Sequence, residues 1–588
     1  MIMLISAIKK FMTAISVAVI LGACSDDGPV QQPQPDDPGE IVGNLLDIPD
    51  VDGKNVKGVV YCGNTPLEGV AVSDGAEVTL TDRNGRYYLN SSKKTGYVYV
   101  SIPSGYMVGI EKKTYPLYYQ KLSAATSAPE QHDFRLYEEP GEDYVIMYLA
   151  DMHLANRNQD IEQYQKWFLR DISEEIGRYT SEGKKVYCMT LGDESWNTYW
   201  YASDGSASFT LTDVKPYLEK LGVPVFNVIG NHDHDPKEYL DFQSENMWRR
   251  EFGPTYYSYN IGKVHFIVLD NVFYANPDGD LSGDCYQYRL TEEQIAWLRS
   301  DLATIKDKSA PIHVLTHAPL HAKPKLSGSG QPKYTYNMDD GKRIATLFAG
   351  FSNVTVFSGH THVNYSVRNT DNPGIFEYNV AAVCATWWWS GRNGYAGNHI
   401  CRDGSVGGYR VVEVSGNTTK TYYKSIGYGN EYQFRTYDCN ECLINAGKYC
   451  PDIENDILAG EISSLTNASG ATGTEGSNWH SPNLNNEVLI NVFAYGPGWT
   501  VEATENGRKL DVKRENAFDP LNIISTMCYR LENGGSISDT FRPSLSSHFF
   551  RVQASSPTST LEIKVTDPDG TVYRETMTRP KALSASMR

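Results

Sequence analysis

The feature that most constrains the fold is a series of apolar segments, each of strand length, between residues 143 and 358. They are Val145–Ala150, Val186–Leu191, Val223–Ile229, Val264–Leu269, Ile312–Thr316 and Val354–Phe357. Apolar residues at helical spacing from Ile161 to Tyr179, and a capping-box start at Thr291, lie between some of these segments. Strands that alternate with helices predict an α/β domain with layered packing.

β patterns precede and follow this region. Val56–Tyr61 has the pattern of a strand, and Thr81–Tyr88 that of two strands joined by an Asn-Gly turn. Val488–Ala494, and the pair Leu561–Val565 and Thr571–Thr576, repeat the pattern near the other end. We therefore expect small all-β N-terminal and C-terminal domains, and the first resembles the prealbumin-like modules that precede many bacterial surface enzymes.

The first residues have the pattern of an export signal. Lys9 and Lys10 precede the apolar run Phe11–Gly22, which is shorter than the ~20 residues of a membrane-spanning helix. Leu21–Cys24 reads Leu-Gly-Ala-Cys and resembles a bacterial lipobox, which implies acylation of Cys24. We expect a lipoprotein anchored in the bacterial cell envelope, at the outer membrane, on its periplasmic or its surface face. An ordinary secretory signal or a short anchor helix is the alternative.

Length and charge narrow the classes of function. A chain of 588 residues predicts several domains. With 53 Lys and Arg against 71 Asp and Glu, the net charge of −18 argues against stable nucleic-acid binding, which needs a basic surface. A phosphorylated substrate is still compatible with this charge if the site itself supplies positive charge.

The expected segments are residues 1–23 (signal peptide), 24–50 (flexible tether), 51–140 (N-terminal β-sandwich), 141–420 (central domain) and 421–588 (C-terminal β-rich domain).

Nine cysteines remain after Cys24. Cys439, Cys442 and Cys450 lie close together in the sequence, but there is no convincing fourth ligand for a structural zinc ion. A disulfide within a loop, or buried thiols, is the favoured interpretation.

Most candidate ligands stand directly after the central apolar segments. The motifs are Asp151-Met152-His153, Gly192-Asp193, Gly230-Asn231-His232-Asp233, Thr316-His317 and Gly359-His360-Thr361-His362. Because sites in open α/β sheets form outside the carboxyl ends of strands, these five tips can converge on one crevice. The glycines allow sharp turns that bring the next side chain in close.

The residue types suit two divalent metal ions, which carboxylate and amide oxygens and neutral imidazoles can bind. Asp193 is the natural bridging ligand, and the other six donors divide three and three between the ions. Two such ions can acidify a bridging water and stabilise both the attacking and the leaving oxygen of a phosphoryl transfer. Each motif alone is more often a solvated or structural feature, but all five in this order favour catalysis.

This order of motifs resembles the calcineurin-like metallophosphoesterase family from about Tyr144 to Val414. The resemblance implies a β-sandwich core with flanking helices and the two β companion domains. It also implies that one ion is held by Asp151, His153, Asp193 and His362, and the other by Asp193, Asn231, His317 and His360. His232 would contact the phosphate and stabilise the leaving oxygen, and Asp233 would orient its imidazole.

Two residues depart from the family pattern. Glu194 follows the Gly-Asp motif where an aliphatic residue is common, and Trp196 stands where purple acid phosphatases need a tyrosine. A tyrosinate–iron(III) site is therefore not expected, and the metal stays open among Mn, Fe and Zn.

Several residues near the last metal motif are candidates for substrate binding. Trp387 and Trp388 could form an aromatic wall for a sugar, base or lipid head group, and Arg392 could bind a phosphate oxygen, with His399 close by. Core packing is an equally good reading of the tryptophans. The loop from Cys401 to Gly404 could return to the same crevice. His234 and His321 are interpreted as solvent-facing loop histidines, and a mobile polar role near the ligand loops is the alternative.

The sequence thus predicts a lipid-anchored phosphoesterase that hydrolyses a phosphomonoester or phosphodiester through in-line attack by a metal-bridging hydroxide. Its substrate would be a phosphorylated small molecule, glycan or lipid. A catalytically silent surface protein that binds a glycan or a partner is one alternative. A 5′-nucleotidase-type hydrolase is the other, although its large C-terminal domain does not match the smaller remainder of this chain.

Overall fold

The computed structural model describes residues 45–125, 127–201, 207–276, 285–327, 330–338, 340–388, 399–468, 479 and 483–587. Cys24, the signal peptide and Arg392 lie outside these ranges. Among the helices of the described ranges, none is both long and apolar enough to cross a membrane.

Two sheets form the central domain. The first has five strands in the spatial order Val225–Phe226, Lys185–Thr190, Asp143–Leu149, Gly408–Ser415 and Thr418–Ser425. The second has six strands in the order Tyr257–Ile261, Val264–Val268, Ile312–Leu315, Val354–Ser358, Ile375–Asn379 and Tyr365–Arg368. Within each sheet, the strands that precede the candidate ligands are parallel to one another, so their carboxyl ends lie at one edge of the sheet.

The core of this domain lies between the two sheets. Successive residues of a strand face opposite sides, so Ile146 and Tyr148 point toward the second sheet, while Val145 and Met147 point toward helices. The ring of Tyr148 stacks on Phe357 of the second sheet, with ring centroids 3.8 Å apart. The central domain is therefore a β-sandwich, as predicted, with helices outside it.

The outer helices follow the apolar periodicity of the sequence. The expected helix begins at Asp160 and ends at Ser181, with a π-helical segment at Tyr164–Leu169. The hydroxyl of Thr291 accepts a hydrogen bond from the Gln294 amide, which confirms the predicted helix start. Thr291 is followed by the helix Glu292–Thr304, and the other helices of this domain are Leu211–Leu218, Asp241–Ser244, Asn246–Phe252 and Gly341–Leu347.

The N-terminal module is a two-sheet β structure. One sheet contains Glu130–Gln131, Val56–Cys62, Phe134–Glu138 and Tyr106–Val108, with Thr65–Pro66 and Arg86–Leu89 paired to Val56–Cys62. The other contains Tyr119–Lys121, Tyr97–Val100, Ala71–Ser73 and Val78–Leu80. The hairpin expected around Asn84-Gly85 is wrong, because Val78–Leu80 and Arg86–Leu89 pair in different sheets. The Asp82 carboxylate accepts the Asn84 and Arg86 amides and shapes a turn between the sheets.

The C-terminal region also contains two sheets. They consist of Phe434–Asp438, Glu487–Val492, Ser546–Gln553 and Val512–Ala517, and of Arg508–Lys509, Thr500–Glu505, Leu561–Thr566 and Val572–Met577. Leu561–Thr566 pairs with Val572–Met577, as the sequence predicts. Helical segments accompany the sheets at Ala446–Tyr449, Asn455–Ala468 and Pro520–Glu532. Since Thr418–Ser425 belongs to the central sheet, the boundary expected at residue 420 falls inside that strand.

The nine described cysteines are free thiols, and seven of them are buried. Cys439, Cys442 and Cys450 do not form a metal-binding group within the described residues. Burial raises the pKa of the Cys439 thiol to about 12, which disfavours the thiolate that a metal would need.

Candidate metal centre

The first sheet supplies three of the predicted motifs. Asp151 and His153 follow the strand Asp143–Leu149, and Asp193 follows Lys185–Thr190. Asn231 opens a short 3₁₀ turn after Val225–Phe226. Leu149 is in register with Thr190, so the loops that carry these side chains start at the same level of the sheet.

The second sheet supplies the other two motifs. His317 follows the strand Ile312–Leu315, and His360 and His362 follow Val354–Ser358. These two strands are adjacent and parallel. The seven candidate ligands therefore meet at the edge where the carboxyl ends of strands from both sheets come together.

Four of the seven side chains form one group of donors. The Nε2 atom of His153 lies 2.9 Å from Nε2 of His362 and 3.5 Å from Oδ2 of Asp193. Asp151 closes this group, with its Oδ1 atom 3.5 Å from Nε2 of His362 and 3.8 Å from Nε2 of His153. These are the four residues that the family resemblance assigns to one ion.

A second group of donors shares the Asp193 carboxylate with the first. The Nε2 atom of His317 lies 3.2 Å from the same Oδ2 atom of Asp193 and 2.9 Å from Oδ1 of Asn231. The Nδ1 atom of His360 lies 2.9 Å from Oδ1 of Asn231 and 3.1 Å from Nε2 of His317. Oδ2 of Asp193 thus stands between the two groups of donors.

The backbone at these positions is unusual for residues with side chains. Asp151, His153, Asp193, His360 and His362 all have positive φ, with values of 55°, 47°, 56°, 70° and 55°. Each non-glycine residue in this region costs about 1–3 kcal/mol and persists only when the surrounding structure holds it. The strain is concentrated on five of the seven candidate ligands, a pattern typical of functional sites.

Two glycines are required by the close approach of the loops. A Cβ atom on Gly192, which has φ of 88°, would lie 2.5 Å from Nδ1 of His317. A Cβ atom on Gly230 would lie 2.3 Å from Oδ1 of Asp193. A side chain at position 192 or 230 would collide with these groups. Glycine at both positions therefore allows Asp193 and Asn231 to lie next to the imidazoles.

Hydrogen bonds fix the orientation of the imidazoles. Nδ1 of His317 donates to the Leu191 carbonyl at 2.8 Å, and Nδ1 of His362 donates to the Ala385 carbonyl at 3.1 Å. The Tyr288 hydroxyl lies 2.6 Å from Nε2 of His360. Such partners are typical of metal-binding histidines, since they set the tautomer and direct the other ring nitrogen toward the ion.

The electrostatics of the group favour cation binding. Burial lowers the pKa of His153 well below its usual value and that of His360 to about 3, so both rings are neutral ligands. Burial also opposes protonation of His317, but the Asp193 carboxylate raises its pKa to about 9. Imidazole nitrogens and carboxylate oxygens therefore face one another at short range, a donor set that fits divalent metal ions.

The surroundings of His232 differ from the expectation. The Asp233 carboxylate accepts the backbone amides of Gly230, Glu194 and Ser195 and does not orient the His232 imidazole. Instead, Oδ1 of Asn197 lies 2.9 Å from Nδ1 of His232. Asp233 thus shapes the loop, and Asn197 positions the ring. Sequence reasoning missed Asn197, whose only signal is a polar residue four positions after Asp193.

The two departures from the family pattern lie beside the ligands. Glu194 is fully buried next to Thr190, and burial together with the nearby Asp233 raises its pKa well above the usual range. A neutral carboxyl group is therefore expected there. Trp196 stacks on Trp387, with ring centroids 4.4 Å apart. A flat aromatic pair thus stands next to His153.

An open cavity of about 270 Å³ lies over the ligands. Besides His153, Asp193, Asn231, His232, His360 and His362, its lining includes Tyr286, Thr361, Trp387, Arg402, Asp539 and Thr540. Arg402 donates hydrogen bonds to the carbonyls of Arg542 and Asp539 at 2.9 and 2.7 Å. The C-terminal region therefore contributes to the wall of the pocket, which the sequence did not predict.

The predicted substrate residues occupy different environments in the structure. Trp387 lines the cavity, but Trp388 is fully buried and donates its indole N–H to the Met152 carbonyl at 2.6 Å. His399 is also buried, against the ring of Trp388. Trp388 and His399 therefore pack in the core and do not line the cavity, so the expectation that they contact a substrate is wrong.

Neither of the two loop histidines faces solvent. His321 is buried, and Nδ1 of its ring lies 2.7 Å from the Glu377 carboxylate. His234 is completely buried. The interpretation of both as exposed loop residues is wrong, because the loops that carry them fold inward against neighbouring elements.

Comparison with known proteins identifies three successive matches to family models. Residues 54–139 match the N terminal of Calcineurin-like phosphoesterase, residues 144–364 match Calcineurin-like phosphoesterase, and residues 377–573 match the C terminal of Calcineurin-like phosphoesterase. Together the three models account for most of the chain.

Similar proteins include the Serine/threonine-protein phosphatase CPPED1 of Homo sapiens, 29% identical over 157 residues, and that of Pongo abelii, 28% identical over the same length. Each alignment covers 26% of this chain and 46% of the relative, so the chain spans about half the length of the curated relatives it matches. A dimetal phosphatase from Danio rerio has 11% identity and a TM-score of 0.31 over 48% of this chain and 97% of that chain. With its three family models matched in order, the chain belongs to the calcineurin-like phosphoesterase family.

Proposed function

We propose that this protein is a phosphoric ester hydrolase that uses two divalent metal ions, of Mn, Fe or Zn. The observation that carries the proposal is the arrangement of seven donors in two groups that share Oδ2 of Asp193. Bound ions would supply positive charge opposite the phosphate oxygens and lower the pKa of a water molecule. They would also provide the local positive potential that a chain of net charge −18 otherwise lacks.

Asp193, His232 and two tryptophans have distinct roles around the proposed ions. Asp193 has its Oδ2 atom between the two groups and accepts the His232 backbone amide on Oδ1 at 2.8 Å. This bond fixes the loop that carries His232 over the donors. The His232 ring lines the cavity, where it can donate a proton to the leaving oxygen of the ester. The stacked Trp196–Trp387 pair places an apolar surface beside His153.

The cavity favours a small substrate with one phosphoryl group at the donors and an aromatic or sugar-like group beside Trp387. Arg402 is held by two backbone carbonyls and lines the same cavity, so it can bind a phosphate oxygen or a second anionic group. A phosphomonoester or a phosphodiester fits this arrangement, carried by a small molecule, a glycan or a lipid. A 5′-nucleotidase-type reaction is the second candidate, since a base could stack on the indoles.

The test compares the wild type with Asp193→Asn. The shared carboxylate is the ligand on which both groups depend, so we expect loss of both ions and at least a hundredfold drop in hydrolysis. Metal analysis and turnover of an aryl phosphomonoester and its diester measure this. Asp235→Asn, in the same loop region but paired with the Tyr201 hydroxyl, is the control and should keep both properties. Unchanged metal content and turnover in Asp193→Asn would overturn the proposal.

If the metal-replete wild type hydrolysed no phosphoester in a broad panel, the catalytically silent binding protein would be the better description. In that case the same cavity would hold a glycan or a partner without turnover. Arg402→Ala separates monoester from diester preference, because loss of the guanidinium should raise KM most for the substrate whose anionic group it binds.

We also propose that the protein is exported and anchored in the bacterial envelope through a lipid on Cys24. The support is the sequence around Leu21–Cys24 and the preceding apolar run. Cells expressing the wild type should incorporate labelled palmitate into the protein, and Cys24→Ser should abolish incorporation and release the protein from membranes. Palmitate incorporation that persists in Cys24→Ser would contradict the assignment.

A further inference from the structure

A second group of metal-binding atoms lies outside the candidate centre. We propose that His234, Asp241 and Glu245 form a separate site for a divalent transition-metal ion such as Zn²⁺ or Mn²⁺. One ligand atom from each of the three residues lies within 4.8 Å of the other two. The group includes none of the seven residues of the dinuclear arrangement.

The imidazole of His234 is directed into this group. Its Nδ1 atom lies 2.9 Å from the Gly230 carbonyl, which can only accept, so the proton is on Nδ1 and Nε2 carries a lone pair. Nε2 is buried and has no hydrogen-bond partner among the described residues. A buried acceptor without a partner costs about 1–3 kcal/mol, and a metal ion is the partner that a neutral imidazole most often finds.

The carboxylates are held in place by other elements. Asp241 is the first residue of the helix Asp241–Ser244, and its Oδ1 atom accepts the Tyr274 amide at 2.6 Å. Glu245 is buried, and its Oε2 atom accepts from Nη1 of Arg249 at 2.5 Å. The carboxyl group of Asp270 lines the same cavity as Glu245. Ligating carboxylates in metal sites have such additional partners.

The charge of the pocket also calls for a cation. Arg249 pairs with Glu245, but no Lys or Arg of the described residues forms an ion pair with Asp241 or Asp270. Five carboxylates and three cationic side chains line the adjoining cavity, so negative charge is in excess there. A divalent ion on Asp241 and Glu245 would reduce this excess. Metal–ligand bonds of ~2.0–2.2 Å fit donors at this spacing after small adjustments.

An access path leads to the carboxylates. Asp241, Glu245 and Asp270 line a cavity of about 520 Å³ between the central domain and the N-terminal module. Gly75, Thr95 and Tyr99 form part of the wall from the N-terminal side. A hydrated ion can therefore reach the site from a direction separate from the catalytic cavity.

An ion at this site would connect two neighbouring segments of the central domain. His234 follows the loop Gly230–Asp233, which carries Asn231 and His232, and the carboxylates lie on or next to the helix Asp241–Ser244. An ion would tie the end of this loop to the helix. We therefore assign it a structural role, in which it holds the loop without contacting the substrate.

Metal counting on the full chain tests the site. The protein is stripped with a chelator, loaded with Zn²⁺ or Mn²⁺ alone and freed of excess metal before ions per chain are measured. Glu245→Gln should hold one ion fewer than the wild type. Glu238→Gln, the same change in the same segment, should hold the full number. If Glu245→Gln fails to fold, Asp241→Asn replaces it. The Asn side chain can still accept the Tyr274 amide, so this variant is expected to fold.

The same comparison in an Asp193→Asn background separates this site from the dinuclear centre. There, Zn²⁺ should still raise the melting temperature when Asp241 is intact, and the rise should disappear in the double variant. If folded Asp241→Asn holds as many ions as the wild type and shows the same metal-dependent shift, the site does not exist. The proposal would equally be overturned if neither Zn²⁺ nor Mn²⁺ raised the melting temperature of Asp193→Asn.

Discussion

Asn197 has a role that becomes visible only at the level of individual contacts. Its Oδ1 atom lies 2.9 Å from Nδ1 of His232, and its Nδ2 atom donates to the His234 carbonyl at 3.0 Å. It therefore orients the His232 ring and holds the following backbone. Asp233, which the sequence suggested for this task, binds backbone amides instead.

We expect Asn197→Ala to lower kcat about ten- to a hundredfold, because His232 would lose its fixed orientation while the metal ligands stay in place. KM and metal content should change little. Asn197→Asp retains an oxygen near Nδ1 of His232 and should recover much of the rate. Steady-state kinetics with metal analysis measure these effects. A loss of bound metal with no loss of kcat per metal-loaded enzyme would contradict the positioning role.

The candidate ligands themselves were visible in the sequence, because each follows an apolar strand segment, and a glycine directly precedes Asp193, Asn231 and His360. Their left-handed backbone was not visible, since Asp and His adopt positive φ only where the surroundings demand it. Likewise, His234 looked like an exposed loop residue, and only the packing of its loop shows that it is buried.

At the level of secondary-structure elements, the N-terminal module packs directly on the central domain. Tyr118 is 4% exposed, and its ring lies 4.6 Å from that of Tyr257 and 6.1 Å from that of Phe226. The Ser101 and Ser258 hydroxyls lie 3.0 Å apart across the same contact. The module and the central domain therefore share one continuous core.

Tyr118→Ala should lower the free energy of unfolding by about 3–5 kcal/mol, because the substitution leaves a cavity among aromatic rings. Leu117 is 51% exposed, and Leu117→Ala should change it by no more than about 0.5 kcal/mol. Denaturant unfolding of both variants measures the difference. Equal effects would show that the module is not packed on the central domain through Tyr118.

Strand positions were well predicted, but their pairing was not. The apolar pattern predicted the bounds of the strands Lys185–Thr190 and Ile312–Leu315 to within a residue or two. The same local signals suggested a hairpin around Asn84-Gly85, although its two strands belong to different sheets. A turn sequence fixes a reversal of the chain, whereas the sheet that each strand joins depends on residues far away in the chain.

Buried histidines make the whole molecule sensitive to acid. Burial lowers the pKa of His313 to about 3, and that of His399 to about 3. Both values lie below the ~6.5 of an unfolded chain. The unfolded state therefore takes up protons first, and the stability that these residues contribute is present above pH ~6.5 and is lost as the pH falls toward 3.

His313 provides the test, since its ring contacts Tyr148, Phe266 and Phe357 in the core, away from the cavity. His313→Leu removes the titrating group. Between pH 7.5 and pH 5.5, the wild type should lose about 1.4 kcal/mol more unfolding free energy than the variant. Denaturant unfolding at both pH values measures this. Equal losses in the two proteins would mean that His313 does not contribute to the acid sensitivity.

The sequence by itself determined the α/β class, the flanking β domains, the strand positions and the seven candidate ligands, because periodicity, turn residues and strand ends are local properties. The tertiary structure decided the rest. It placed Asp193 between two donor groups, Asn197 behind His232, Thr540 in the cavity wall, and Trp388 in the core. These outcomes depend on which distant surfaces pack together, and no local pattern in the chain encodes that packing.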